Sequence, residues 1–181
     1  MRVLVACEYS GTVRDAFIAA GHEATSCDLL GDGWDLMVAH PPCTYLCSSG
    51  LHWNKRIPGR AELTDEALEF VRELLASSIP KIAVENPIGA IGTRIRKSTQ
   101  TIQPWQFGHD ASKATCLWLH NLPPLRPTAF VEPRIVNGKQ RWSNQTDSGQ
   151  NRLPPSKDRW KIRSETYPGI ARAMAEQWGG A

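Results

Sequence analysis

No stretch of this sequence approaches the roughly 18 to 20 consecutive apolar residues that span a bilayer. The residues after Met1 also do not combine a basic n-region, a long apolar h-region and a small-residue cleavage site. A cytoplasmic protein with no membrane partner is therefore expected. Internal repeats and low-complexity tracts are lacking, which excludes solenoids and compositionally biased linkers. Cysteine is sparse and odd in number. Cys7, Cys27, Cys43, Cys47 and Cys116 lie mostly in apolar surroundings and do not make a disulfide framework. Only Cys43 and Cys47 are close enough for half of a metal site, and no His or Cys pair supplies the other half, so no metal is expected.

The 181 residues, 41% hydrophobic, suffice for one core, and a single domain over 1–181 is expected. Charge is unevenly placed. Residues 121–163 hold nine lysines and arginines against three acids, a net of +6 that leaves −3 for the remainder of a +3 chain. Positive potential concentrated in this way suits a polyanion, which makes nucleic acid a candidate partner beside the plainer reading of a solvated basic loop.

The pattern along the chain is strand, turn, helix, repeated. Arg2–Cys7 is a short β-branched run ending before Ser10-Gly11, after which Val13, Ala16, Phe17 and Ala20 fall at helical spacing and Gly21 closes the helix. Glu23–Cys27 reads as a second strand ending at Asp28, and Asp35–Ala39 as a third, running into His40-Pro41-Pro42-Cys43. Residues 44–63 read as a long mobile loop, and Thr64 as the cap of a helix buried through Leu68, Val71 and Leu75. Lys81–Val84 is a fourth strand ending in Glu85-Asn86-Pro87. Beyond residue 94 the pattern fades, apart from a strand at Thr115–Leu119 and a helix from about Gly169 to Trp178. This alternation predicts an α/β fold with a mainly parallel sheet covered on both faces. Ligands sit at the carboxyl ends of strands in such sheets, and every unusual cluster here lies at such an end.

Cys43 follows two prolines at the end of an apolar strand, where a thiolate could act as a covalent nucleophile. A lone cysteine is more often a small buried hydrophobe. Glu85 strengthens the first reading, because it brings a carboxyl group from a parallel strand, where burial is expected to raise its pKa and let it donate a proton. A helix-capping acid is the plainer alternative.

These residues carry a resemblance. Pro42-Cys43 after one strand and Glu85-Asn86 after the next resemble the Pro-Cys and Glu-Asn-Val motifs of DNA cytosine-5 methyltransferases. Cys7-Glu8-Tyr9-Ser10-Gly11 is similar to that family's glycine-rich methionine-binding turn, though poorer in glycine, and Asp28 stands where the family places an acid on the cofactor ribose. Phe107-Gly108 to Leu119 resembles the Tyr-Gly-x-Pro-Gln-x-Arg-x-Arg segment and the strand after it, with Lys113 and Thr115 where arginine is usual. Thr166-Tyr167-Pro168-Gly169-Ile170-Ala171 resembles the last motif. The chain is also similar to a compact group of phage and prophage cytosine methyltransferases over VLVACEYSG, AHPPCTYL, KIAVENP, TQTIQPWQFG, KATCLWL and DRWKIRSETYPGIA.

The resemblance implies a Rossmann-like methyltransferase fold that takes S-adenosylmethionine as cofactor and DNA as partner. It implies a target base turned out of the duplex, Cys43 adding to ring carbon 6, and Glu85, within the Glu85-Asn86 motif, protonating or hydrogen-bonding ring nitrogen 3. Carbon 5 then takes the methyl group and loses its proton, and the thiolate leaves. Lys113 would contact the base carbonyl, or is simply an exposed lysine. Cofactor contacts are expected at Glu8, Ser10, Gly11, Asp28, Pro41 and Thr166. Trp53, Lys55, Arg56 and Arg60 lie on the loop that in this family closes over the base. Arg134, Lys139, Arg141, Trp142 and Arg152, in a small recognition segment over 121–160, are further nucleic-acid candidates. Residues 164–179 would return to the core.

One departure stands out. Only twelve residues separate Asp28 from Pro41, too few for the helix and strand the fold normally places there, so a shortened cofactor side is expected. Two other readings stay open. His40-Pro41-Pro42-Cys43 can be taken as a variant of the Asp-Pro-Pro-Tyr motif of amino-methyltransferases, and the chain can be taken as a catalytically inactive nucleic-acid-binding relative.

Overall fold

The computed structural model describes residues 1–27 and 31–180. Strands β1 (Arg2–Ala6), β2 (Glu23–Ser26), β3 (Leu36–Ala39) and β4 (Lys81–Pro87) are mutually parallel. β5 (Gln100–Ile102) and β6 (Thr115–His120) complete one six-stranded sheet of order β2-β1-β3-β4-β6-β5, in which β6 runs antiparallel to both neighbours. Val3–Ala6 and Leu36–Ala39 are buried without alternation, as expected of central strands covered on both faces.

Each face has its own apolar layer. On one side α1 (Thr12–Ala19) packs against α6 (Pro168–Trp178), with Phe17, Met174 and Trp178 fully buried. The Trp178 indole donates to Pro123 O at 2.9 Å, which fixes the C-terminal helix beneath the chain leaving β6. On the other side α3 (Arg60–Leu75) buries Thr64, Leu68, Val71 and Leu74, spaced to face one way. α1 ends in a Schellman arrangement: Gly21 adopts φ 86°, its N–H bonds Ile18 O, and His22 N–H bonds Phe17 O.

Two expectations need correction. Residues 44–63, expected to form one long mobile loop, instead hold short 3-10 turns at Cys43–Tyr45 and His52–Lys55 flanking α2 (Ser48–Leu51), and the first residues of α3. α3 starts at Arg60, so Thr64 is an interior residue and not a cap. Its hydroxyl lies 3.1 Å from Tyr45 O and accepts from Asn54 Nδ2 at 2.8 Å, which holds the 43–55 turns against the helix. Short elements that the sequence pattern did not reveal include α4 (Ala90–Arg94), the hairpin β7 (Arg134–Val136) and β8 (Lys139–Arg141), and α5 (Arg159–Ser164).

Since β2 and β3 flank β1 on opposite sides, the winding of the sheet reverses between β1 and β3. In open α/β sheets the crevice outside the carboxyl ends at such a reversal is the usual ligand site.

Candidate active site

The pairing registers put the strand ends level. Ala6 is opposite Ala39, and Ala39 is opposite Val84, so Glu8, His40 to Cys43, and Glu85-Asn86 emerge at one edge. Antiparallel β6 brings its start to the same edge, with Thr115 opposite Pro87 and Lys113 just before it. A crevice of about 10 Å³ lies there, lined by Glu85, Lys113, Thr115, Thr166, Tyr167 and Ile170. Thr166 thus borders the catalytic candidates. A larger cavity of about 390 Å³, between Phe107 to His109 and the outer side of α6, is lined by none of the candidate residues.

Cys43 opens a 3-10 turn, and its carbonyl accepts from Cys47 N at 3.0 Å, so the two cysteines sit one turn apart with their thiols in contact. The pair has unequal surroundings. Cys47 is lowered from its ordinary value to about 5, first by its hydrogen bond with Cys43, with Ser49, the Gly50 backbone and the Arg163 charge adding to this. Cys43 is pushed up by the same hydrogen bond, by burial, and by the negative charges of Cys47 and Glu85, with Lys113 opposing. The two thiols therefore titrate as a pair, the first proton leaving at a lower pH than the second. For Cys43 to attack, its proton must leave, and the Cys47 sulfur is the acceptor in contact with it.

Glu85 corrects the sequence reading. Its carboxyl is held below the ordinary range and not raised: burial opposes ionisation, but the hydrogen bond and charge of His40, the charge of Lys113 and a hydrogen bond from Thr115 together outweigh it. His40 Nδ1 lies 2.9 Å from Glu85 Oε2, the two side chains being 9% and 13% exposed. Asn86, 1% exposed, donates from Nδ2 to Pro41 O at 2.7 Å, which pins the turn leading to Cys43. Two buried polar atoms at this edge, His40 Nε2 and Asn86 Oδ1, have no hydrogen-bond partner among the described residues. Buried groups left so in a native fold call for an explanation, and a bound polar ligand supplies one.

On the cofactor side, Glu8 spends much of its capacity within the chain. Its carboxylate accepts from Val13 N at 2.6 Å and Arg14 N at 3.3 Å, capping α1 in place of Gly11, which sits at φ 73° with no side chain to offer. Ser10 Oγ lies 3.0 Å from Thr12 Oγ1 and 3.4 Å from Glu8 Oε1. Pro41 is buried with its carbonyl taken by Asn86. Asp28 lies outside the described residues. Just before it, at the end of β2, Ser26 Oγ is buried with no partner among the described residues. An unpartnered hydroxyl at that place, with Ser10 and the remaining lone-pair capacity of Glu8 at the end of β1, fits a ligand bearing hydroxyl and ammonium groups.

Lys113 Nζ donates to Arg163 O at 2.8 Å and Glu165 O at 3.3 Å, so it ties the end of α5 to the crevice. The basic segment docks alongside through Ser112 N to Asn144 Oδ1 and Asn144 Nδ2 to Ser112 O, each 2.9 Å. Within it, Trp142 is 8% exposed and stacks on Trp105 with centroids 5.5 Å apart, so the expectation of a nucleic-acid-facing ring is overturned: the indole holds the segment to the core. Arg134 pairs with Asp147 at 2.5 Å, and Arg152 Nε and Arg141 Nε bond loop carbonyls at Gln145 and Asp147, which makes these three loop-bracing groups. Lys139 is exposed near the hairpin tip. Trp53, 43% exposed with the Arg56 guanidinium 5.5 Å from its ring, and exposed Lys55 remain open to solvent. Arg60 instead stacks over Tyr45 at 4.8 Å and donates to Thr44 O.

Sequence reasoning missed two partners. Cys47 was weighed only as a metal ligand, although its spacing from Cys43 also allows a thiol pair, and His40 was read only as part of a motif. No group of three or more His, Cys, Asp or Glu that could hold a metal occurs among the described residues, and no described helix is long and apolar enough to cross a membrane. Comparison with protein-family models and with curated proteins gives no match for the chain.

Proposed function

We propose that this protein methylates carbon 5 of cytosine in DNA through a covalent Cys43 adduct, with S-adenosylmethionine as methyl donor. The observation that carries this reading is that Cys43 and Glu85 follow adjacent parallel strands and emerge at the same edge of the sheet, with Glu85's charge acting on the Cys43 thiol.

In this reading the Cys43 thiol passes its proton to Cys47 and adds to carbon 6 of the base. Electron density moves to ring nitrogen 3, where the proton held between His40 Nδ1 and Glu85 Oε2 can be drawn upon through Glu85. Asn86 holds the Pro41 turn and so fixes the approach of Cys43, while its unpartnered Oδ1 suits the exocyclic amine of cytosine. Ser26, Ser10 and Glu8 would hold the cofactor, which when bound supplies an electrophilic methyl group on sulfonium. Exposed Trp53, Lys55 and Arg56 would meet the strand.

The test is incubation with DNA and labelled S-adenosylmethionine, followed by nucleoside analysis. 5-Methylcytosine that vanishes in Cys43→Ser is expected. N4-methylcytosine or N6-methyladenine retained in that variant would replace this reading by the amino-methyltransferase one, and strand binding with no labelled nucleoside would leave a binding protein.

A further inference from the structure

Tyr9 and Trp160 are separated by 151 positions in the chain, yet their ring centroids lie 5.6 Å apart while the residues remain 62% and 59% exposed. The Lys161 ammonium stands 5.7 Å from each ring. Two large aromatics held together but left mostly in water forgo the burial that normally fixes such side chains. Their place is specific. Tyr9 projects from the turn after β1, at the reversal crevice, and α5, which carries Trp160, is tied to the crevice at its far end by Lys113 Nζ on Arg163 O. α5 therefore reaches from the end of β1 toward the cysteine pair, where the Arg163 charge acts on Cys47.

We infer that Tyr9, Trp160 and Lys161 form a stacking platform for an unpaired nucleobase of a nucleic-acid strand, with the phosphate beside that base on the α5 cations. The inference rests on the nucleic-acid reading of the site and extends it to residues beyond Trp53 and Arg56. Charge selects the occupant. α5 carries Arg159, Lys161 and Arg163 on six residues, and of the two acids that flank it, Asp158 and Glu165, the first is paired with Lys161 at 3.2 Å. Such a surface attracts a polyanion and repels a cationic sulfonium cofactor, whose adenine is the other flat ring at hand. Stacking on an aromatic face tolerates any base, so the platform would bind the strand without reading its sequence.

The test is fluorescence anisotropy of a fluorescein-labelled single-stranded oligothymidylate with the full chain, without cofactor, over a range of salt concentrations. Tyr9→Ala and Trp160→Ala are each expected to weaken binding about tenfold, with Trp160→Phe restoring most of it. Lys161→Ala is expected to reduce the salt slope by about 0.7. All three side chains changed are at the surface, and matched circular dichroism and melting would show the variants folded. Wild-type affinity in the folded Tyr9→Ala and Trp160→Ala variants overturns the inference, as does failure of the wild type to bind the strand at low salt. Displacement of the oligonucleotide from the platform by adenosine, with adenosine binding lost in Trp160→Ala, also overturns it, since the platform would then serve a free nucleoside. Because no methyl transfer is read, an absence of methylated product leaves this outcome untouched and counts only against the reaction.

Discussion

His40 Nδ1 lies 2.9 Å from Glu85 Oε2, across the junction of two parallel strands and 45 positions away in the chain. The contact joins the turn that carries Cys43 to the strand that carries Glu85, and it holds Glu85 ionised despite burial. Folded Glu85 has a lowered pKa, so its contribution to stability is fully present above its ordinary value of 4.5 and is lost as pH falls through the lowered folded value. His40→Ala should destabilise the protein by about 3 kcal/mol at neutral pH, because it strands a buried carboxylate. It should also move the acid loss of stability to higher pH. Urea unfolding of both proteins across the acid range measures this, and superimposable pH profiles would refute it.

The cysteine pair makes a prediction that needs no substrate. Iodoacetamide at pH 6.5 should alkylate Cys47 first, with a rate that rises through about pH 5 and then levels, while Cys43 lags. Cys47→Ala removes the hydrogen bond and the charge that push Cys43 up, so Cys43 alkylation should begin at lower pH in that variant than in the wild type. Peptide mass spectrometry after timed quenching reads both sites, and a Cys43 profile unchanged by the substitution would count against the pairing.

Gly89 fixes the turns around Cys47 by close approach. A Cβ there would stand 1.9 Å from Leu46 O and 2.8 Å from Cys47 Cα, both backbone atoms, where Ala90 N bonds Leu46 O and Ser48 N bonds Ile88 O. Gly89→Ala should cost about 2 kcal/mol or more, because backbone must move to admit the methyl group. It should also shift the Cys47 alkylation profile. Denaturant midpoints test the first part, and an unchanged midpoint would show that the approach is looser than the structure has it.

The long strands, the two-sided sheet and the convergence of Glu8, Cys43 and Glu85 at one edge were legible because central parallel strands are continuous apolar runs, and each ended in polar residues. Thr64 misled because the features of a cap, a small hydroxyl before acids and an apolar stripe, also describe a helix interior whose hydroxyl bonds a neighbouring turn. The β7–β8 hairpin had its signal in Asn137-Gly138, both at positive φ, but the flanking Arg134–Val136 and Lys139–Arg141 lack the apolar alternation that marks strands. The direction of the Glu85 shift was not legible at all. Burial could be guessed from the strand, whereas its balance against His40, Lys113 and Thr115 depends on contacts made only in three dimensions.

Lys113 has two obligations: its charge steadies Glu85, and its three N–H bonds are partly spent on the carbonyls of Arg163 and Glu165. A ligand that draws the ammonium toward the crevice takes it from the end of α5, and one that settles α5 holds it there. Occupancy of the crevice and the freedom of α5 are then thermodynamically linked, and whatever factor one imposes on the other is returned in equal measure.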